Sequence, residues 1–547
     1  MDLPLLQQRP KTKPPPKPTP FCPTLLLGIL VTTAFIIFHA KAPSPPTKPP
    51  IVGILPLLPS FCVSWTTNFQ PYYVPITING ETYAVIPDTG SSNLAIASES
   101  CISCDVHPKV PSNLLPKSIQ NMTTHQRQHS PLAFQIDYGT GSTLSVDSNV
   151  QFTVPNGNLQ FQGQASLIIL QNTSFGFNLF PPKPSYPLPK IATPVQDTCY
   201  NSYAGILGLA YQGQGASAKT NTTQGPSITN GTRTQLIDIM VDELGMTNAF
   251  ALEICNTYPY SCTPQRRINH NTWTPSSAQT CRKERVGHLM LGGYISSRIS
   301  EMRYAKLTDE IHYDVRLLGM TVCGKNGCVN VAFPDRLDGE TESDCMCKGN
   351  TLCNKNTITD QNVFEYCYFS VVESGAGRIY MNTYKNAYAL LTTMRDVGMI
   401  DGVQVQDEEG FWFDKVSQSN ANIHTNASFH IHLEGTNDGN TISVPVDLHG
   451  IFRSTNSSLI QWGIQGDMNV LKNYTANKFP TLLGEPFFMG KTIFFDRSRK
   501  RVGFGISKEG VCDQVAVAED IDVFGANSLP TPGSGCKIGS GSGGGCV

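Results

Sequence analysis

Ala84-Val-Ile-Pro-Asp-Thr-Gly-Ser-Ser92 decides how the rest of the chain is read. Val85 and Ile86 are β-friendly apolar residues leading into Asp88, and Gly90 lets the backbone turn back at once. The stretch predicts a carboxylate at the tip of a tight loop between strands, with the hydroxyls of Thr89 and Ser91 beside it. Hydroxyls and backbone N–H groups at such a tip hold an ionised Asp in place. Asp-Thr-Gly alone would read as an ordinary turn. The apolar lead-in and the following Ser-Ser-Asn-Leu94 make the longer pattern specific, and they call for a second loop of the same design.

That loop is Ser370-Val-Val-Glu-Ser-Gly-Ala376: apolar pair, carboxylate, hydroxyl, Gly, small residue. Each loop is followed by an apolar Gly-centred segment, Ala204-Gly-Ile-Leu-Gly-Leu-Ala-Tyr211 after the first and Thr481-Leu-Leu-Gly-Glu-Pro-Phe-Phe488 after the second. Short β runs surround them at Tyr72–Ile78, Thr82–Ile86, Leu94–Ala97, Phe134–Tyr138 and Ser142–Val146, with Asn79-Gly80 as a hairpin turn. Ile237, Met240, Val241 and Leu244 are spaced for one helix face, as are Tyr384, Ala387, Tyr388 and Leu391, and Gly245 and Gly398 end the two helices. With 47 Gly and 39 Pro in 547 residues, turns abound, and an all-β protein with a few short helices is expected.

Net charge is −2 with 15% charged residues, which argues against a nucleic-acid partner. Seventeen Cys point to an oxidising compartment. Seven glycosylation sequons agree, at Asn121, Asn172, Asn221, Asn230, Asn426, Asn456 and Asn473. The N-terminus carries a basic, Pro-rich leader and an apolar run, Leu25–Phe38, which serves either as a signal peptide or as a signal anchor. Cleavage would secrete the protein. Retention would leave a single-pass membrane protein with its main domain on the lumenal or extracellular side. Cys323, Cys328, Cys345, Cys347, Cys353 and Cys367 form a dense cluster, read as a disulfide-stapled loop, with zinc as the alternative. His125 and His129 sit in a polar loop without a Glu between them of the zinc-protease type, so neither metal nor other cofactor is expected.

The doubled pattern resembles the pepsin-like aspartic proteases over about residues 70–510. The resemblance implies a bilobal all-β fold with the cleft between two lobes. Outside it, composition assigns a leader and signal to residues 1–42 and a Pro-rich stalk or short pro-segment to 43–69. The resemblance implies an N-terminal lobe at 70–247 and a C-terminal lobe at 248–512 with a Cys-rich insert at 323–367, and composition assigns 513–547 to a flexible Gly/Ser-rich tail. Asp88 and Glu373 become the catalytic pair, supported by Thr89, Gly90, Ser91, Ser374, Gly375 and Ala376. Tyr138, Gly139 and Thr140 become the flap over the substrate. Ala95, where pepsin-type members carry Trp, together with Asn248–Cys255 and Lys500–Ser507, looks like the β-secretase branch and implies pairing of Cys255 with Cys512.

The implied activity is hydrolysis of polypeptides by a monomer, best at acidic pH. Position 373 departs from the family, which has Asp there, and Ala376 lacks the usual hydroxyl. A homologue that binds peptides without efficient cleavage is therefore the alternative. A third possibility is a disulfide-rich extracellular protein that binds a partner through the Cys-rich insert.

Overall fold

The computed structural model describes residues 52–59, 72–101, 103–104, 106, 108–128, 130, 132–138, 141–154, 159–172, 204–211, 219–220, 227–228, 235–255, 287–309, 312–333, 370–401, 422–437, 440–456, 459–466, 481–508 and 521–522. The fold is all-β and bilobal, of the pepsin type. Its N-terminal half contains β1 (Gly53–Pro59), β2 (Tyr72–Ile78), β3 (Glu81–Asp88), β4 (Leu94–Ala97), β5 (Ala133–Tyr138), β6 (Gly141–Val154), β7 (Leu159–Asn172) and β8 (Gly205–Gly208). Alternate residues of β2 are buried, the period-2 pattern of a strand with one face on the core. The β2–β3 turn uses Asn79 and Gly80, both with positive φ, as a two-residue hairpin requires. The helices Leu236–Leu244 and Tyr384–Asp396 stand where the apolar spacing put them. The first turns a face slightly N-terminal of the expected one to the core: Leu236, Ile237, Ile239 and Met240 are buried, whereas Val241 and Leu244 are only partly so.

Six antiparallel strands form the floor. β1 pairs with Gly287–Leu291, which pairs with Ala249–Ile254, followed by Lys491–Asp496, Arg501–Ser507 and Ile299–Asp309. One cross-sheet row runs Pro56, His288, Glu253, Thr492, Gly505, Met302. On this row a charged group is fully buried. Arg298 Nε donates to Glu253 Oε1 at 2.8 Å, Arg298 also reaches Oε2 at 3.0 Å, and His288 Nδ1 lies 2.7 Å from Oε2. Burial alone would raise the Glu253 carboxyl, but the hydrogen bonds from His288 and Arg298 and the Arg298 charge hold it below the ordinary range.

Residues 53–59, within the segment expected to be a stalk or short pro-segment, are a strand of this floor and also pair with β2. Ile54, Leu55 and Leu57 are buried there, so the apolar run is used for packing, and Pro56 costs one ladder bond without breaking the register.

Two disulfides lie among the described residues, Cys101–Cys104 and Cys323–Cys328. The second ties the hairpin Leu317–Gly324/Gly327–Asn330 and removes both sulfurs as zinc thiolates, against the zinc alternative. Cys345, Cys347, Cys353 and Cys367 lie outside the described residues. Cys255 is disulfide-bonded, and Cys512 lies outside the described residues. Among the described residues no helix is long and apolar enough to cross a membrane; the Leu25–Phe38 segment is not among them.

Candidate active site

The two carboxylates are delivered by the same local architecture used twice. β3 ends on Asp88, the chain loops through Thr89–Asn93, and β4 leaves. β8 threads between them, parallel to β3 with Asp88 opposite Gly208 and antiparallel to β4 with Leu94 opposite Leu207. In the second half, Ser370–Val372 leads into Glu373 and Ile379–Met381 leaves. Thr481–Leu483 threads between them, parallel to the first and antiparallel to the second. The threading strand passes so close to each loop that a side chain is excluded at its glycine. A methyl group at Gly208 would overlap the backbone of Ser92 and Asn93, and one at Gly484 the carbonyls of Ala376 and Arg378. This is why each carboxylate loop is matched in sequence by an apolar-apolar-Gly segment.

The loops meet face to face. Thr89 N–H donates to Ser374 Oγ at 3.0 Å, and Ser374 N–H donates to Thr89 Oγ1 at 2.8 Å. Thr89 Oγ1 in turn donates to the Val372 carbonyl at 2.8 Å, and Ser374 Oγ to the Pro87 carbonyl at 2.7 Å. Thr89 and Ser374 are fully buried, so all four bonds are shielded from water. Tyr72 adds a bond that its sequence context did not disclose, from its hydroxyl to the Ser374 carbonyl at 3.2 Å. The only signal would have been a Tyr at the start of a strand, which is common in any sheet.

Asp88 is 7% exposed, and both its oxygens are occupied. Gly90 N–H donates to Oδ1 at 2.9 Å and Ser91 Oγ donates to Oδ2 at 2.5 Å. Glu373 is part-buried, and its longer side chain reaches the opposite loop: a methyl group at Gly90 would stand 2.6 Å from Glu373 Oε1. Reciprocally, a methyl group at Gly375 would overlap Asp88 Oδ1. Burial raises the Asp88 carboxyl, while Ser91 and Gly90 pull it back down. Burial and then the Asp88 charge push Glu373 up to about 8. The Asp88 charge thus opposes ionisation of Glu373.

Ala376 lies at the back of the second loop among Val371, Tyr380 and Leu482. Tyr138 ends β5 with its backbone opposite Gly141, while its side chain, Gly139 and Thr140 lie outside what is described. Asn121 and Asn426 are exposed; Asn172 and Asn456 are described in backbone only, and Asn221, Asn230 and Asn473 not at all. Among the described residues no group of three His, Cys, Asp or Glu is placed to hold a metal; His125 is exposed and His129 is not described.

No family model matches the chain. It is similar to cathepsin D of Dictyostelium discoideum, 30% identical over 147 residues, which cover 26% of this chain and 30% of that relative. The chain thus matches less than a third of the relative's length. That partial similarity accords with the paired-loop, all-β architecture described above.

Proposed function

We propose that the protein is an aspartic-type endopeptidase acting on extended polypeptides in the cleft between its lobes. The observation that carries this is the four-bond brace that sets Asp88 and Glu373 against each other across the two loops. In such a pair one carboxylate takes a proton from a water molecule whose oxygen adds to the peptide carbonyl carbon. The protonated partner gives its proton to the carbonyl oxygen. The C–N bond then breaks as the nitrogen is protonated. Tyr138, Gly139 and Thr140 are the residues assigned to close over the substrate.

A β-secretase-like subgroup is favoured by Ala95, fully buried in a compact cluster with Ile86, Ala97 and Cys101, where an indole would overpack the core. Passage through the secretory pathway is supported by the disulfides and by the exposed sequons at Asn121 and Asn426. One observation favours the alternative of a peptide-binding homologue with weak turnover. The Glu373 carboxyl reaches onto Gly90, and a displacement of about 1 Å at a reacting group costs roughly 100-fold in rate.

Cleavage of a mixed peptide library from pH 3 to 7, with and without pepstatin, separates the two. Pepstatin-sensitive cleavage that disappears in Asp88→Asn is the result expected. Cleavage by Glu373→Asp alone would assign the natural protein to the binding class. Silence from both folded proteins would overturn the protease assignment.

A further inference from the structure

We infer that Tyr313 is a positioning residue that sets the spacing of the two carboxyl groups, tying the segment that grips one loop to the strand that carries the other. This rests on the proposed function and adds a second link between the loops, separate from the four-bond brace.

Tyr313 is fully buried. Its hydroxyl donates to the Leu209 carbonyl at 2.7 Å, across a sequence separation of 104 residues. Leu209 follows the glycine of the first threading strand, and its own N–H donates to the Asp88 carbonyl at 2.7 Å. Ala210 N–H donates to the Ser91 carbonyl at 2.9 Å, so this short segment holds the Asp88 loop at two points. In the other direction, the Tyr313 carbonyl accepts from Val372 N–H at 3.1 Å, and Val372 immediately precedes Glu373. Asp314, beside Tyr313, is paired with Val371 in an antiparallel ladder. One residue thus acts on both acids, through its side chain on Asp88 and through its main chain on Glu373.

The ring that carries the hydroxyl is itself held. Phe495 and Phe250 meet it edge-on at 4.4 Å and 5.8 Å between centroids, and Tyr211 lies tilted against it at 5.2 Å. Phe250 and Phe495 sit opposite each other on neighbouring floor strands and stack at 4.6 Å. Burial holds the phenol well above its ordinary pKa, so it remains a donor at any pH at which the acids titrate. Every buried Tyr needs an acceptor. Here the acceptor belongs to the residue that grips Asp88, so the floor fixes the ring, the ring fixes Leu209, and Leu209 fixes Asp88 against Glu373. The loops have no room to move closer, because a methyl group at Gly90 would overlap Glu373 and one at Gly375 would overlap Asp88. Loss of the hydroxyl therefore lets the acids move only apart.

The test is Tyr313→Phe, which keeps the ring and the main-chain link and removes the donor. Carboxyl carbon-13 signals of Asp88 and Glu373 are titrated in substrate-free protein with both acids present, so that the midpoints report the pair. The upper midpoint, near 8 in the parent, should fall by about half a pH unit or more, because the Asp88 charge opposes Glu373 ionisation less from farther away. If the Phe variant folds poorly, para-fluorophenylalanine at 313 fills the space without donating. Para-aminophenylalanine at 313 restores a donor and should return the midpoint to its parent value. Arg298→Met weakens the floor without touching either loop and should leave the upper midpoint in place.

An unmoved midpoint in a folded Phe or fluoro variant would overturn the inference, as would an equal fall in Arg298→Met or failure of the amino variant to restore the parent value. The titration needs no turnover, so a parent that never cleaves peptide sinks the protease assignment while the midpoints still decide the role of Tyr313. In a protein that does cleave, Tyr313→Phe should lower kcat by about 10- to 100-fold and leave KM within about twofold, since acids are displaced and the walls of the cleft are not. An unchanged kcat would count equally against the role.

Discussion

Replacing Ser374 with Ala removes two hydrogen bonds at once, the one its Oγ accepts from Thr89 N–H at 3.0 Å and the one it donates to the Pro87 carbonyl at 2.7 Å. Both backbone partners sit in a fully buried contact, so each is left unsatisfied at roughly 1–3 kcal/mol. The expected loss is about 2–6 kcal/mol. For a fold of several hundred residues, at about 2 cal/mol/K of unfolding entropy per residue, this lowers Tm by about 2–7 °C. Thr89→Val removes the other two crossing bonds and should cost about as much. The double variant should lose less than the sum, because once either half of the brace is gone water reaches the other. Denaturant unfolding of the four proteins of this cycle, with peptide cleavage measured alongside, is the assay. Single variants within about 0.5 kcal/mol of the parent, or strict additivity, would refute the claim that these four bonds act as one brace.

Gly90→Ala should abolish cleavage while leaving most of the fold intact, because the new methyl group meets the mobile end of Glu373 and pushes its carboxyl away from Asp88; activity and Tm measured together check this. Arg298→Met should cost about 3–5 kcal/mol by leaving the Glu253 carboxylate buried with His288 alone. Glu253 ionises below the ordinary range in the fold, so its contribution is present above the ordinary carboxylate pKa of about 4.3 and is lost as pH falls through the lower folded value. Thermal unfolding from pH 3 to 7 should therefore show the acid-side loss beginning at higher pH in Arg298→Met than in the parent. Glu373 has the opposite sign. Its folded pKa is raised, so the unfolded chain releases a proton from about pH 4.3 upward that the fold retains to about 8, and stability declines across that window. Glu373→Gln should match the parent in Tm near pH 4 and exceed it at pH 8.

The sequence disclosed the paired loops better than the floor beneath them. Asp88, Thr89, Ser374 and the two Gly-centred threading segments were legible because close backbone approach and loop hydroxyls demand particular residues at particular spacings. β1 was not legible, because two prolines in an apolar run argue against a strand and its partner Gly287–Leu291 lies more than 200 residues away. The Glu253–His288–Arg298 group was hidden for a similar reason: three polar residues from separate elements become neighbours only when the six-stranded register is set. The carbonyl of Pro87 is an acceptor in the brace, a role no residue type announces.

The floor of the molecule joins the earliest described strand of the chain to the last. β1 begins at Gly53, and the closing strands Lys491–Asp496 and Arg501–Ser507 lie two places and more beyond its neighbour in the same sheet. The carboxylate loops that face each other across this floor are themselves about 285 residues apart. A growing polypeptide on the ribosome can therefore fold much of its first lobe, yet it has no paired acids until nearly all of it has emerged. Long-range closures of this kind form late and slowly. Whatever chemistry the pair performs therefore waits on the second half of the chain, which carries Glu373 and Ser374.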